Sequence, residues 1–319
     1  MATNTSIPTR VTEQRQHVVD AVIDAIAKDG LKFFAEWAPG ARPHNPITGN
    51  TYRGINRINL AATARLRGFT DPRWLTFKQA KAAGLHVKKG ARSAVVEKWK
   101  MLTGFRENSD GEPEPYSYAR CVGYFSVFNC EEIAGIEPYA AQTRDDLDDT
   151  PAIRVADRLI KSSPCPVVES PEGRAFYTPA TDCIHIPARG LFVGTSETAS
   201  QNFARTLAHE LTHATASRVG RVVDYAGAGR AFEELVAELG ALFLTSDLGL
   251  VIDYDVSDPH FQQHSAYIQS WCELLVDTPA ALHRAARDAD AAARYLAARY
   301  EHEEHATEEE ASCSPVTTS

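Results

Sequence analysis

The sequence lacks the features that would place it among membrane, secreted or metal-ribbon proteins. No hydrophobic run approaches the roughly 18 residues that a membrane-spanning helix needs, and the first residues are polar with no apolar signal core. We therefore expect a cytoplasmic protein with no membrane partner. The six cysteines contain no C-x-x-C pair, so neither a disulfide scaffold nor a zinc ribbon is indicated.

Acidic residues are scarce in one part of the chain. Residues 42–106 contain 14 Lys and Arg residues but only two acidic ones, Asp71 and Glu97. Residues 1–140 carry 19 basic against 14 acidic residues (+5), whereas residues 141–319 carry 14 against 28 (−14). This pattern favours a polyanion as the partner of the first half. A solvated basic surface without a partner is the alternative.

The chain has 319 residues, 44% of them hydrophobic, which suits two globular domains. Apolar spacing predicts one or two helices over residues 10–37 with a break at Gly30, a helix over 55–66, and a short helix ended by Gly84. Two β-rich stretches, VKKGARSAVVEKW and ARCVGYFSVFNCEEI, are separated by a polar segment at 104–117 and predict a small antiparallel sheet. Residues 1–140 are therefore expected to form a small α+β domain.

The acidic, proline-closed segment at 141–151 has the composition of a linker. A mostly helical second domain is expected over residues 152–300, with a helix at 152–163 and a hairpin at 174–187. Residues 301–319 are acidic and poor in hydrophobic residues, which predicts a disordered tail. The expected fold class is α+β, with two domains.

Residues 209–213 read His-Glu-Leu-Thr-His, the H-E-x-x-H pattern of zinc peptidases. On a helix, His209 and His213 fall together on the side opposite an apolar stripe, so both imidazoles can converge on one Zn²⁺. Glu210 lies between them and is predicted to be the general base that activates water. The alternative is an exposed helix on which the histidines coincide by chance.

A catalytic zinc takes three protein ligands and keeps one open position. The segment FEELVAELGALFL supplies the candidates, since Glu234 and Glu238 lie one turn apart on a face separate from its leucines. We expect Glu234 to be the ligand and Glu238 to accept a hydrogen bond from a ligand imidazole. The reverse assignment stays open, and Glu233 is expected to point toward solvent.

Several motifs together resemble the ArdC-like antirestriction proteins of plasmids and phages, which are related to the N-terminal part of the TraC-type plasmid primases. The resemblance covers nearly the whole chain. Three signatures carry it, together with the segment EELVAELGALFL: Asn45, Thr48, Gly49, Tyr52, Gly54 and Asn56; Trp74, Thr76, Gln79, Gly84, Lys89 and Gly90; and Tyr177, Asp182, Ile184 and Pro187. The family commonly continues the active helix with Thr-Gly, whereas this chain reads HATASR, so the substrate cleft is expected to differ there.

The resemblance implies an N-terminal domain that binds single-stranded DNA and a C-terminal zincin-like metallopeptidase domain, similar in architecture to the Spartan-type repair proteases. It also implies a role in protecting incoming DNA from host restriction. The residues themselves support DNA binding, because aromatic side chains interleave the basic stretch and both elements occur in single-strand binders. The candidate DNA-binding residues are Tyr52, Arg53, Asn56, Arg57, Trp74, Lys78, Lys88, Lys89 and Arg92. Phe69 and Phe77 are expected to pack in the core.

Three functions are compatible with these patterns. The first is a zinc peptidase that single-stranded DNA binding brings to proteins near DNA. The second is a protein that protects DNA by coating it, with the zinc site as a structural remnant. The third is a protease that cleaves one repressor, with DNA binding incidental. The sequence names no protein substrate.

Overall fold

The computed structural model describes residues 9–29, 42–108, 111–140, 150–170, 173–192, 196–224, 226–250 and 267–312. The chain divides into two compact units. The first comprises Met1–Val18, Pro43–Tyr52 and Asn56–Tyr139, and the second comprises Val19–Arg42, Arg53–Ile55 and Ala140–Ser319. Helices and small sheets occur in both halves of the chain, which confirms the expected α+β class with two domains.

The described residues of the N-terminal half form three helices and five strands. Helix α1 spans Thr9–Asp29, α2 spans Ile55–Arg67 and α3 spans Phe77–Ala82. The strands are β1 (Trp74–Thr76), β2 (His86–Val87), β3 (Ala94–Glu107), β4 (Pro113–Asn129) and β5 (Ile133–Ala134). The helices predicted at 55–66 and before Gly84 are confirmed. Helix α1 covers most of the predicted 10–37 segment, of which residues 30–37 lie outside the described part.

The predicted antiparallel sheet is present, with strand order β1-β4-β3, and a second sheet pairs β2 with β5. The core of the first unit forms where Leu60 of α2 packs on Trp74, Ala94, Val96 and Val127. One prediction is wrong: residues 104–107 and 113–117, expected in a polar segment between the strands, belong to β3 and β4. β3 continues to Glu107 and pairs with β4 down to Pro113, because alternating aromatic and polar residues sustain the ladder beyond the core.

The outer edge of β3 is covered by amide side chains. The Gln14 side chain accepts a hydrogen bond from the Val95 N–H (3.0 Å), and Asn59 donates to the Val95 carbonyl (2.6 Å). Asn56 both accepts from the Glu97 N–H and donates to the Glu97 carbonyl, at 2.7 Å each. These contacts satisfy backbone groups that an edge strand otherwise leaves unpaired.

A second set of polar contacts fixes the loop before α2. The Asn45 carboxamide oxygen accepts from the N–H groups of Ile47 (3.0 Å) and Thr48 (3.1 Å), and Gly49 takes the left-handed conformation that closes this turn (φ 70). Asn45 also donates to Gln79, which forms the capping box of α3 with Thr76. Asn45, Thr48 and Gly49 of the first signature therefore build the turn, and Thr76 and Gln79 of the second build the cap.

The described residues of the C-terminal half form five helices and three strands. The helices are α4 (Thr150–Lys161), α5 (Ser196–Ala214), α6 (Gly227–Asp247), α7 (Ile268–Asp277) and α8 (Ala280–Ser312). The strands are β6 (Val167–Ser170), β7 (Phe176–Thr178) and β8 (Cys183–Pro187), in the order β6-β8-β7. The predicted hairpin is the antiparallel pair β7–β8, and β6 adds to it in parallel.

The remaining expectations from the sequence concern the linker and the C-terminal tail. Most of the predicted linker, residues 141–149, lies outside the described part, and α4 begins at Thr150. Helix α8 continues to Ser312, so residues 301–312 are helical where a disordered tail was expected. Their alanine and glutamate residues favour helix even without an apolar face. Among the described residues, no helix is long and apolar enough to cross a membrane.

Candidate metal centre

Helix α5 carries His209, Glu210 and His213. Its apolar residues Phe203, Leu207 and Leu211 are completely buried, and the two histidines are buried as well, so the helix runs through the core of the second unit. The imidazoles lie one turn apart on the same side, as the 3.6-residue period requires. Their Nε2 atoms are 3.2 Å from each other.

Helix α6 brings Glu234 to the same point. Its Oε2 atom lies 3.4 Å from Nε2 of His209 and 3.8 Å from Nε2 of His213. A tetrahedral ion with bonds of about 2.1 Å holds its ligand atoms roughly 3.4 Å apart. The three observed separations match this spacing, so the two imidazoles and the carboxylate fit one small divalent cation.

The two helices approach closely where Gly240 of α6 meets Thr212 of α5. A Cβ atom placed on Gly240 would lie 2.4 Å from Thr212 Cγ2 and 2.7 Å from its Oγ1. The Thr212 hydroxyl donates to the Ala208 carbonyl (2.8 Å), which keeps the side chain against its own helix. Glycine at this crossing therefore permits the distance at which Glu234 reaches both histidines.

The Nδ1 atom of each imidazole faces a glutamate that in turn pairs with an arginine. His209 Nδ1 lies 3.3 Å from Glu238 Oε2, and Glu238 forms a buried ion pair with Arg205. With Nδ1 protonated, His209 donates to Glu238 and directs an unprotonated Nε2 at the cation position. Glu238 therefore lies at hydrogen-bonding distance from Nδ1 of His209, whereas Glu234 faces the Nε2 atoms of both histidines.

Glu233 does the same for His213, and the expectation that it faces solvent is wrong. Its side chain is buried, with Oε1 at 2.8 Å from His213 Nδ1, and Arg221 pairs with its other oxygen. Arg221 also donates to the Thr212 carbonyl (2.8 Å). A helical wheel of α6 alone missed Glu233, because its partners lie on α5 and on the segment after it. One weak sequence signal could have found Glu233: several arginines flank the two histidines in the sequence, and a buried glutamate can pair with an arginine.

Glu210 is buried beside the two histidines. Burial raises the pKa of the Glu210 carboxyl, although the imidazoles and a hydrogen bond with the Tyr177 backbone lower it. A carboxyl group whose pKa is raised toward neutrality accepts and returns a proton more readily than an ordinary glutamate. Strand β7, through Tyr177, therefore lies against the residue predicted to be the general base.

His213 and Glu234 shift each other's pKa in opposite directions. Burial lowers the pKa of His213, but the hydrogen bonds with Glu233 and Glu234 outweigh it and raise that pKa to about 10. For Glu234, burial raises the pKa, while the hydrogen bonds with His209 and His213 lower it further, so the net pKa is well below the ordinary value. In the protein without a metal, Glu234 is therefore a carboxylate.

A polar chain links the β7–β8 hairpin to the end of α5. The Tyr177 hydroxyl donates to Asp182 (2.9 Å), and Arg218 donates to the other oxygen of Asp182 (2.6 Å). Arg218 also donates to the carbonyl of Ala214, one turn after Glu210. Asp182 takes a left-handed conformation with φ 48, which is uncommon outside glycine. These contacts hold the β7–β8 hairpin against helix α5.

Only some of the candidate DNA-binding residues lie at the surface. Trp74 is completely buried and Arg57 is buried, so neither is available to stack on a base or contact a phosphate. The carboxamide of Asn56 is engaged with Glu97, and Tyr52 packs on the core and donates weakly to the Trp74 carbonyl (3.4 Å). The sequence pattern failed here because it treated loop and helix-start residues as exposed.

Five of the candidates remain exposed: Arg53, Lys78, Lys88, Lys89 and Arg92. The Lys88 ammonium group donates to the Glu131 carbonyl (2.8 Å). Of the two phenylalanines expected in the core, Phe69 packs edge-on against Trp74, whereas Phe77 is more than half exposed. The prediction for Phe77 is therefore wrong, since it is the first residue of α3 and faces outward.

Two family models match the chain. Residues 12–128 match the N-terminal domain of the anti-restriction factor ArdC, and residues 154–288 match a zincin-like metallopeptidase. Two DNA primases named TraC from Escherichia coli are 31% and 33% identical over 296 and 305 residues. These alignments include 86% and 88% of this chain, which spans 26% and 20% of the primases.

An uncharacterized protein of Sinorhizobium fredii, y4eC, is 30% identical over 308 residues, with 93% of each chain covered. Among solved structures, the metal-free antirestriction ArdC protein from plasmid R388 is 32% identical with a TM-score of 0.64, covering 90% of this chain and 98% of that one. Its Mn(II)-bound structure gives 31% identity and a TM-score of 0.65, covering 90% and 97%.

Proposed function

The chain belongs to the ArdC family of antirestriction proteins, and from this premise we propose that it is a metal-dependent peptidase that also binds single-stranded DNA. The proposal of peptidase activity rests on the convergence of His209, His213 and Glu234 beside Glu210. Two imidazoles and one carboxylate are the ligand set of several catalytic zinc sites. A purely structural zinc site has no need of an additional carboxyl group at the metal.

The proposed ligands are His209, His213 and Glu234, with Zn²⁺ as the cofactor. When bound, a divalent ion supplies Lewis-acid polarisation of a peptide carbonyl. Glu238 and Glu233 orient the two imidazoles through Nδ1. The Glu210 carboxylate accepts the proton of the attacking water and passes it to the leaving amine, and its raised pKa suits both transfers.

Single-stranded DNA binding is supported by charge. The stretch from 42 to 106 has a surplus of 12 basic residues (14 − 2), and the exposed candidates Lys78, Lys88, Lys89 and Arg92 belong to it. Basic side chains that neutralise phosphates release counterions, which favours binding at low salt. The relative from plasmid R388 is an antirestriction protein by name. We propose that this chain likewise protects DNA from restriction.

The peptidase is tested by Glu210→Gln, which removes the base while keeping the size and polarity of the side chain. The purified variant is expected to hold one zinc per chain, as the unmodified protein does, and to lose hydrolysis of an unfolded protein such as casein in the presence of single-stranded DNA. Glu301→Gln on the exposed surface of α8 is the matched control and should remain active. Equal hydrolysis by Glu210→Gln and the unmodified protein would contradict the assignment.

The basic surplus of the first half also supports a second candidate, protection by coating DNA without hydrolysis. Restriction protection in cells separates the two. If Glu210→Gln protects as well as the unmodified protein, DNA coating is the function and the peptidase proposal is rejected. If protection is lost while metal content and DNA affinity are kept, hydrolysis is required.

A further inference from the structure

Strands β3 and β4 extend well past the core as a two-stranded ribbon. Strand β1 pairs with β4 only at Val127–Asn129 in register, so Lys98–Glu107 and Pro113–Gly123 have only each other as sheet partners within the described residues. We call this pair of segments the hairpin arm. It is about ten residues long on each strand, or roughly 30 Å. A ribbon exposed on both faces adds little stability of its own, so its length suggests a binding role.

The two faces of the hairpin arm differ in chemistry. After the irregularity at Lys98 and Trp99, Lys100 lies opposite Arg120, Leu102 opposite Tyr118, Gly104 opposite Tyr116 and Arg106 opposite Glu114. We call this side the basic-aromatic face. The intervening residues Trp99, Met101 and Phe105 point to the other side, where they are 44%, 68% and 70% exposed. One face is therefore cationic and aromatic, and the other is apolar.

Apart from Arg106, the cations of the basic-aromatic face have no acid opposite them on the arm. Lys100 and Arg120 are directly opposite each other, and like charges in that position destabilise a strand pair. Arg106 has a partner in Glu114, with 3.2 Å between nitrogen and oxygen. Lys98 adds a further cation at the base of the arm. An anionic ligand lying along this face would relieve the repulsion between Lys100 and Arg120.

The aromatic rings of this face are available for stacking. Tyr116 and Tyr118 are 41% and 37% exposed, with ring centroids 5.6 Å apart and planes inclined by 32°. Gly104 makes room for Tyr116, because a Cβ atom there would lie 2.9 Å from the ring. Phe125, 46% exposed, lies two residues after Gly123 on the same strand, at the base of the arm. Gly104, directly opposite Tyr116, therefore leaves the space that this ring occupies.

We propose that the basic-aromatic face of the hairpin arm is the surface on which single-stranded DNA binds. This inference rests on the proposed DNA-binding function and locates it on residues other than those selected from the sequence. Lys98, Lys100 and Arg120 contact phosphates, while Tyr116 and Tyr118 stack on successive bases. Unpaired bases are required, because the bases of a duplex are already stacked on each other.

The test measures binding of the full-length protein to a labelled oligothymidylate of about 20 nucleotides, longer than the site of a typical single-strand binder. Tyr116→Leu/Tyr118→Leu removes both rings and is expected to weaken binding about tenfold or more. Tyr116→Phe/Tyr118→Phe keeps both rings and should bind like the unmodified protein. Gly104→Ala should weaken binding to a smaller extent by displacing Tyr116.

Two matched variants complete the test. Met101→Ala/Phe105→Ala changes the opposite face of the same arm and is expected to leave the affinity unchanged. Lys100→Gln/Arg120→Gln should reduce the slope of log affinity against log salt by about 1.4, or about 0.7 for each phosphate that the variant no longer neutralises. Circular dichroism and zinc content show whether each variant is folded.

The outcomes separate this inference from the function on which it rests. If the unmodified protein binds the oligonucleotide and the leucine variant binds equally well, the arm is not the site, while DNA binding stands. If only the opposite-face variant loses affinity, the inference is likewise overturned. If the unmodified protein does not bind at low salt, the DNA-binding proposal itself fails. Loss in the leucine variant with retention in the phenylalanine variant supports the inference.

Discussion

Three glutamates of α6 lie within two turns of one another, yet each meets a different atom. Glu233 faces Nδ1 of His213, Glu238 faces Nδ1 of His209, and Glu234 faces both Nε2 atoms. The difference follows from where each carboxyl points relative to α5. Chemically identical side chains are therefore expected to respond differently to the same substitution.

Replacing each glutamate by glutamine tests this division. Glu234→Gln removes a ligand carboxylate and should leave less than stoichiometric zinc after dialysis. Glu233→Gln and Glu238→Gln should keep the ion but weaken its affinity by about 10- to 100-fold, since they only orient the imidazoles. Affinity is measured by competition with a chelator, with Glu273→Gln on the surface of α7 as control. An unchanged affinity in Glu234→Gln, together with loss in Glu238→Gln, would reverse the ligand assignment.

Spacing along a single helix was sufficient to predict that His209 and His213 share one face of α5 and that Glu234 and Glu238 share one face of α6. The roles assigned to these residues stay predictions. Spacing did not predict the burial of Glu233, because that carboxylate pairs with Arg221, which lies on the segment after α5. It failed likewise for Trp74, which packs against Leu60 of α2 and against the sheet, and for Arg57 of α2, which is buried. Burial of these residues depends on contacts distant in sequence, which periodicity does not contain.

At the level of elements, the crossing of α5 and α6 decides whether the ligands meet. Their contact at Gly240 and Thr212 is closer than any residue with a Cβ atom permits without displacement. The sequence predicted both helices but not this crossing, since a glycine inside a helix is ordinarily only a mild defect. The distance between the helices sets the distance from Glu234 to the imidazoles.

Gly240→Ala is therefore expected to cost about 1–3 kcal/mol of unfolding free energy through overpacking, and to lower zinc affinity as the helices separate. Thr212→Ala in the same chain should restore part of both losses, because it removes the clashing Cγ2 and Oγ1 atoms. Gly190→Ala is the control, since nothing lies within 4 Å of its added Cβ. Denaturant unfolding and chelator competition give the two readouts. Equal stability of Gly240→Ala and Gly190→Ala would contradict the argument.

The sheet of the first unit shows the same contrast between local and distant information. Alternation predicted that β3 and β4 pair, and they do. Their length was underestimated, because polar and glycine residues at 104–117 resemble a loop when read singly. Pairing across strands stabilises them, with Tyr116 covering Gly104 and Arg106 beside Glu114.

For the whole molecule, the proposed metal ligands and the basic-aromatic face of the hairpin arm belong to separate compact units. Two ligands bound at separate sites change each other's affinity only when each of them binds one state of the protein more tightly than another. We expect a chelator that removes the metal to abolish hydrolysis and to leave affinity for single-stranded DNA unchanged. Fluorescence anisotropy with a labelled oligonucleotide, before and after treatment and after zinc is restored, gives the measurement. A change in affinity of more than about fivefold would show that the two sites are coupled.

The acids and arginines around the imidazoles also set a charge balance. With neutral imidazoles, the centre holds two guanidinium groups and four carboxylates, or 2 − 4 = −2, from Arg205, Arg221, Glu210, Glu233, Glu234 and Glu238. One divalent cation makes this buried group neutral. Removing a single arginine or a single supporting glutamate leaves an uncompensated charge, which is costly in a core. Replacing Arg205 and Glu238 together by neutral residues keeps the balance, so the chain should tolerate change at these positions in pairs rather than singly.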